Sequence, residues 1–324
     1  MINFSVIIPN YNHAPFLKQR IDSVLEQAYS NFEVIIIDDA STDNSLEIIE
    51  SYKANNKIPH IIYNEKNSGS PFKPWSQGIA LAKYSWIWIG ESDDFADPMF
   101  LKEAADAIMK YPSIGIFYCD CYTVDDKSIA ARERYSERKN KIFNTKKWSE
   151  SYYKNGVEEL NECLKFDSTI NNVSSVVFKK HLLVTQIEML NKFYLYGDLF
   201  FFLNASFSTN IYYCNKPLNY YRIHPGSHLH LNTSIITSRS EYFRILKVLY
   251  YNKMVTDKTH LLDHFAYNYL SFGIIEDGLR KGLTIIRFYF KHSPLLAWKI
   301  TIRIIYIKLF RIKRAFRKPV NNIV

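Results

Sequence analysis

Three short apolar runs, each ending in a polar or acidic cluster, constrain this chain most. Residues 4–8 (Phe-Ser-Val-Ile-Ile) run into Pro9-Asn10-Tyr11-Asn12, and residues 33–37 (Glu-Val-Ile-Ile-Ile) into Asp38-Asp39. Residues 85–90 (Ser-Trp-Ile-Trp-Ile-Gly) run into Glu91-Ser92-Asp93-Asp94. Runs of this length and content predict strands buried on both faces. Between them, Leu17, Ile21, Val24, Leu25 and Ala28 share one helical face, and Asp43 or Asn44 caps a helix reaching about Lys53. A strand at 60–63, a helix at 76–83, a helix opened by Asp97-Pro98 and a strand at 114–119 continue the alternation. The pattern predicts βαβ units in a mostly parallel sheet, an α/β fold. In such sheets ligands sit beyond the carboxyl ends of the strands, where all three clusters fall. Carboxylates there are costly if buried unpaired, and an edge that meets a nucleotide and a metal removes that cost.

Beyond residue 126 the pattern loosens. Charges gather from Arg132 to Lys147, a stretch expected to be an insertion or loop with helices. Strands are expected at 173–179 and 211–214, an apolar helix at 199–207 after Asp198, and helix across 239–275. The expected division is a domain over 1–234, changing character at about 125, then a helical region over 235–324.

Charge narrows the partners. The chain has 324 residues, 41 Lys and Arg, 32 Asp and Glu, and a net charge of +9. Twelve of the cations and no acid lie in 278–324, leaving 29 cations against 32 acids upstream. That distribution speaks against nucleic acid, which asks for basic residues across the folded domain. Ile302, Ile305, Leu309, Ile312 and Phe316 form one apolar stripe at spacings of 3 and 4, with Lys299, Arg303, Lys313, Arg314 and Arg317 on another face. Residues 298–318 are therefore expected to lie on an anionic membrane surface, with packing on protein as the alternative.

No uncharged run reaches about 18 residues, so no ordinary membrane span is expected. The opening residues show no basic segment or cleavage site, so no signal peptide is expected. Cys119, Cys121, Cys163 and Cys214 lack zinc-ligand spacing and read as free thiols. The expected location is cytoplasmic, peripheral on the inner face of the membrane.

In order and content the clusters resemble glycosyltransferase family 2, the inverting nucleotide-sugar transferases of the GT-A (Rossmann-like) fold. The blocks that carry the resemblance are Val-Ile-Ile-Pro-Asn-Tyr-Asn at 6–12, Ile-Ile-Asp-Asp-Ala-Ser-Thr-Asp-Asn-Ser at 36–45 and Trp-Ile-Gly-Glu-Ser-Asp-Asp at 88–94. Tyr-Gly-Asp-Leu-Phe-Phe-Phe at 196–202 and Leu-Asn-Tyr-Tyr-Arg-Ile-His-Pro-Gly-Ser at 218–227 add to it, so it covers roughly 3–230.

The resemblance implies a nucleotide-sugar donor, UDP-linked, and a saccharide or lipid-linked acceptor. It implies that 1–234 is a catalytic domain, with a nucleotide half to about 125 and an acceptor half after it. It places a base-reading carboxylate at Asp39, with Pro9 and Tyr11 beside it as ring walls and Asn12 and Asp38 as further nucleotide contacts; Asp38 and Asp39 also suit a turn into the next helix. Gly69 lies in a stretch near the donor, and Lys73 either supplies a cation to the diphosphate or is a surface lysine. The acidic cluster implies Mn²⁺ or Mg²⁺. Asp94 is the expected metal ligand and Asp93 a donor contact, and Glu91 stands where the commoner pattern has Asp.

Asp198 is the expected general base, or a helix cap. His224 is expected at the metal or diphosphate and Arg222 at the diphosphate, the alternative being a turn at Pro225-Gly226. His260 and His264 have metal-ligand spacing without a third ligand and read as a helix surface. A nucleotidyltransferase would need a glycine-rich phosphate loop, and an oxidoreductase a Gly-x-Gly-x-x-Gly; neither is present. A membrane-bound scaffold that keeps the fold without turnover is the non-enzymatic alternative.

Overall fold

The computed structural model describes residues 1–170, 172–224, 235–266 and 279–310. It divides into two compact units, one formed by 1–164 with 168–224, the other by 165–167 with residues after 224.

The first unit is built on a ten-stranded sheet. Its strands are β1 (Phe4–Asn10), β2 (Phe32–Asp38), β3 (His60–Tyr63), β4 (Trp86–Ile89), β5 (Phe95–Ala96), β6 (Ile114–Val124), β7 (Ala130–Arg134), β8 (Tyr152–Asn155), β9 (Val176–Lys179) and β10 (Asn210–Arg222). The order is β3-β2-β1-β4-β9-β6-β10-β5, with β7 on β6 and β8 on β10. Every residue of β1, β2 and β4 is buried, as expected of strands covered on both faces.

Strands β3, β2, β1 and β4 are mutually parallel. The parallel character ends at β9, which pairs antiparallel with both β4 and β6, and returns in the β6–β10 pair. β5, β7 and β8 join antiparallel. The sequence pattern predicts none of these three: β5 is only two residues long, and β7 and β8 are polar and fall in the loose stretch after residue 126. Likewise 173–175 form a 3₁₀ turn before β9, and β10 runs eight residues beyond the expected 211–214.

The helices of the first unit are α1 (Ala14–Leu25), α2 (Ser45–Ser51), α3 (Phe72–Leu81), α4 (Phe100–Lys110), α5 (Tyr135–Ile142), α6 (Gly156–Glu159), α7 (Lys180–Val184), α8 (Ile187–Leu190) and α9 (Gly197–Ala205). In α1 it is Leu17, Ile21 and Val24 of the expected face that are buried. Helix α3 lies close on β1 because Gly78 has no side chain: a Cβ there would stand 2.4 Å from Ile7 Cγ2. The start of α9 meets α3 the same way, with a Cβ on Gly197 falling 2.5 Å from the Phe72 ring.

The second unit contains α10 (Ile235–Tyr251), α11 (Lys258–Phe265), α12 (Leu279–His292) and α13 (Pro294–Phe310). The helix expected over 239–275 is thus broken between Tyr251 and Lys258, where Asp257 accepts the His260 N–H and caps α11. Its last residues, 267–275, lie outside the described residues, as do Ile312, Lys313, Arg314, Phe316 and Arg317 of the expected tail. Among the described residues no helix is long and apolar enough to cross a membrane. The four cysteines are free and buried.

Candidate active site

The carboxyl ends of β1, β2 and β4 lie side by side, because both β2 and β4 pair with β1. At the end of β2, Asp38 is buried and accepts from Asn10 Nδ2 (2.8 Å), Ser41 N (2.9 Å) and Ser41 Oγ (2.6 Å). Asp38 therefore ties the β1 and β2 turns together. The tie holds Ala40 at a φ of 63°, a conformation an alanine adopts only where its neighbours fix it. Asn12, at φ 55°, accepts from Thr42 N at 2.7 Å across the same two turns.

Asp39 faces the other way. Its Oδ2 accepts from Ser68 N (2.9 Å) and Ser68 Oγ (2.7 Å), and its Oδ1 from Asn64 Nδ2 (2.7 Å). One carboxylate thus fixes the 64–70 loop, including Gly69 at φ 67°, to the end of β2. Lys73 turns its amine to the Ser68 carbonyl (2.8 Å) and lines an open groove of ≈530 Å³ with Ser68, Gln77 and Asn191. A second open groove, of ≈510 Å³, runs along Asp38, Ser41, Tyr63 and Asn64. Pro9 is buried in β1, while Tyr11 is exposed at its end.

The third cluster is a turn held from many directions. Arg20, buried in α1, donates from Nε to the Glu91 carbonyl at 2.8 Å. Arg222 at the end of β10 donates from Nε to the Asp93 carbonyl at 2.7 Å. Ser174 Oγ accepts the Glu91 N–H, and Trp75 Nε1 donates to Glu91 Oε1 at 2.8 Å. Burial, then the charges of Asp93 and Asp94, push the Glu91 carboxyl up to about 8.

Asp94 does not stand where the sequence expectation put it. Its carboxylate is buried and takes the Arg222 backbone N–H on Oδ1 and the Asn172 amide on Oδ2, both at 2.8 Å, with Arg20 Nη2 at 3.9 Å. Burial and the Asp93 charge push it up to about 7. These inward-facing donors make Asp94 a latch for the acidic turn, and it is not among the residues whose ligand atoms cluster.

The ligand-like atoms lie one residue earlier. Asp93 Oδ2 is 3.2 Å from His224 Nε2, and His13, Asp93 and His224 each offer one atom within 4.8 Å of the others. The His13 ring meets the His224 ring edge-on at 5.5 Å, and its Nδ1 lies 2.8 Å from Ser92 Oγ. Burial would raise the Asp93 carboxyl, but the His224 hydrogen bond and the two imidazoles outweigh it and hold the group below its usual value. Two imidazoles and a carboxylate are a donor set that suits a divalent transition metal.

Arg222 also departs from expectation. Besides the Asp93 carbonyl, its guanidinium reaches the Asp125 carbonyl (2.7 Å), Ser128 Oγ (3.1 Å) and Gln19 Oε1 (2.6 Å), and it lies over the Phe16 ring at 4.5 Å. Every nitrogen of its fork is engaged by protein, so it braces the acidic turn instead of reaching a diphosphate.

Asp198 sits in the first turn of α9, behind Tyr196 at the cap position, and accepts the Leu199 N–H at 2.7 Å. The helix N-terminus favours a charged carboxylate there. The Tyr221 phenol is held well above its ordinary value by burial first, then by the charges of Asp94, Asp93 and, more weakly, Asp198. His260 and His264 instead pack on the Phe166 ring, at 4.6 and 5.3 Å.

Sequence reasoning overlooked His13, Arg20 and Asn172. His13 had a signal, since it directly follows Asn12 at the end of the first strand. Arg20 looked like an ordinary helix residue, and Asn172 contacts Asp94 across 78 positions with no local mark.

Among curated proteins, the chain is 36% identical over 117 residues to the poly(ribitol-phosphate) beta-N-acetylglucosaminyltransferase TarS of Staphylococcus aureus. That match covers 35% of this chain and only 20% of TarS. Among solved structures, S. aureus TarS 1–349 in complex with UDP-GlcNAc superposes with a TM-score of 0.64 at 21% identity, over 88% of this chain and 79% of that one. The mannosyltransferase PcManGT of Pyrobaculum calidifontis, in complex with GDP-Man and Mn²⁺, gives 0.57 at 14% identity, over 95% and 81%. These likenesses show a shared GT-A fold. Residues 5–163 match the model of Glycosyl transferase family 2, and this stretch is a domain of that family.

Proposed function

We propose that this chain moves a sugar from a nucleotide diphosphate sugar, UDP-linked, to a hydroxyl of a cell-surface polysaccharide or lipid-linked oligosaccharide, inverting the anomeric centre. The observation that carries the reading is the shared sheet edge, with Asp39 past β2 and the His13, Asp93 and His224 cluster past β1, β4 and β10. Asp39 keeps an acceptor position for a base N–H, since Oδ1 takes one bond from Asn64 and a carboxylate oxygen accepts two. We assign Tyr11, exposed at the end of β1, and the buried Pro9 as the ring walls, with Gly69 in the loop that Asp39 fixes and Lys73 in the helix after it as further donor contacts.

A divalent ion held by Asp93, His224 and His13 would neutralise charge on the departing diphosphate. Of the two ions expected, Mn²⁺ suits two imidazoles better than Mg²⁺, which prefers oxygen ligands and water. Asp198 takes the acceptor hydroxyl proton as that oxygen bonds to the anomeric carbon. The bond from that carbon to the diphosphate oxygen breaks with its electron pair, and the nucleoside diphosphate leaves.

Turnover of a panel of nucleotide sugars, with Mn²⁺ and with chelator, tests the reading. Hydrolysis or transfer of one donor that needs Mn²⁺ and is lost in Asp39→Ala supports it. If no donor binds or turns over under any condition, the chain is a scaffold that keeps the fold without the reaction.

A further inference from the structure

Helix α13 is apolar on two opposite sides. Leu296, Ala297 and Ile300 are buried. On the other side Leu295 is 70% exposed, Trp298 57% and Ile302 61%. Their spacing of 3 and 4 aligns these three on one face. Helix α12 extends the face: Phe290 meets Trp298 edge-on at 5.5 Å, and Leu283, also exposed, lies seven residues before Phe290. A helix apolar all round is ordinarily covered on every side, and a contiguous exposed apolar patch marks a contact surface.

Charge identifies what covers it. Arg287, Lys291 and Lys299 are exposed among these apolar residues, and no Asp or Glu occurs anywhere from 278 to 324. A second copy docking the same face by two-fold symmetry would set these cations against their own twins, which is repulsive. An anionic lipid surface meets both properties: headgroups take the cations, and the acyl boundary takes Leu295, Trp298 and Ile302. A tryptophan with its ring half in and half out suits that boundary.

We propose that the exposed face of the α12–α13 hairpin, centred on Trp298, docks the protein on an anionic bilayer. The contact is parallel to the surface, since no described helix is long and apolar enough to cross. It begins earlier than the stripe expected from sequence, and it stands independently of the reaction proposed above.

The test uses the full chain with phosphatidylcholine vesicles, with and without phosphatidylglycerol. Trp75, Trp86, Trp88 and Trp148 are buried, so an emission blue shift on binding reports Trp298. Co-sedimentation is expected with the anionic vesicles alone, weakening as salt rises, with quenching by brominated acyl chains. Leu295→Asp should lower vesicle binding about tenfold or more, and Lys291→Glu should lower it on anionic vesicles, both with unchanged thermal stability because the side chains are exposed. Equal binding to neutral and anionic vesicles, or none to either, overturns the proposal. So does a concentration-dependent dimer that Leu295→Asp dissociates while vesicles leave Trp298 unshifted.

Discussion

The backbone N–H of Arg222 donates to Asp94 Oδ1 at 2.8 Å, joining residues 128 positions apart at the centre of the site. With Asn172 on the other oxygen, this makes Asp94 the point where β10 and the acidic turn are fastened. Asp94→Ala would leave a buried N–H and amide unsatisfied and Arg20 without its nearest acid. We expect a stability loss of about 3–5 kcal/mol, read as a large drop in Tm. A variant that melts like the wild type would remove the latch assignment.

Asp93 should behave in the opposite way. Its side chain meets His224 and His13 rather than inward-facing backbone donors. Asp93→Asn is expected to fold normally and to weaken Mn²⁺-dependent binding of a nucleoside diphosphate by on the order of 10–100-fold, with His13→Ala weakening it less. Calorimetric titration with Mn²⁺ and with chelator distinguishes the cases, and an affinity indifferent to Mn²⁺ in the wild type would sink the metal site.

The parallel half of the sheet and its three polar edges were legible because each strand is a local apolar run and each edge residue follows its strand directly. What the side chains do there was not. Adjacent pairs such as Asp38 and Asp39, or Asp93 and Asp94, look equivalent in sequence, yet within each pair the two carboxylates take different partners. That choice depends on donors brought from far along the chain: Asn10 for Asp38, Asn172 and Arg222 for Asp94. Arg222 looks like a phosphate grip in sequence for the same reason, since nothing local shows that Gln19, Asp125 and Ser128 fill its fork. The edge strands β5, β7 and β8 are set by tertiary pairing and carry little periodic signal.

Asp198 offers a kinetic prediction. Asparagine keeps the shape of the side chain and its acceptor for the Leu199 N–H, but it cannot take a proton at neutral pH. Asp198→Asn should lower kcat by ~10²–10⁴-fold while donor affinity and Tm stay close to wild type. Near-full turnover on the acceptor would move the base to another residue.

Lys139 offers a pH prediction away from the site. It is buried, donates to the Thr169 carbonyl at 3.0 Å, and lies 4.9 Å from the Tyr213 ring centre and 5.2 Å from those of Tyr118 and Trp148. Burial pushes its amine down from 10.5 to about 8, with Asp120 the chief opposing influence. Between those values the unfolded chain holds more protons than the folded one, so this group makes stability rise with pH from about 8 to about 10.5. Below that window the cost of burying the charge is fully present. Lys139→Met abolishes the titration and leaves Asp120 its contact with Arg134 at 3.1 Å. The stability difference between variant and wild type should therefore move toward the wild type by about 1–3 kcal/mol as pH rises through that window. Denaturant unfolding of both proteins across the window measures it, and a difference that stays flat would show that Lys139 does not titrate there.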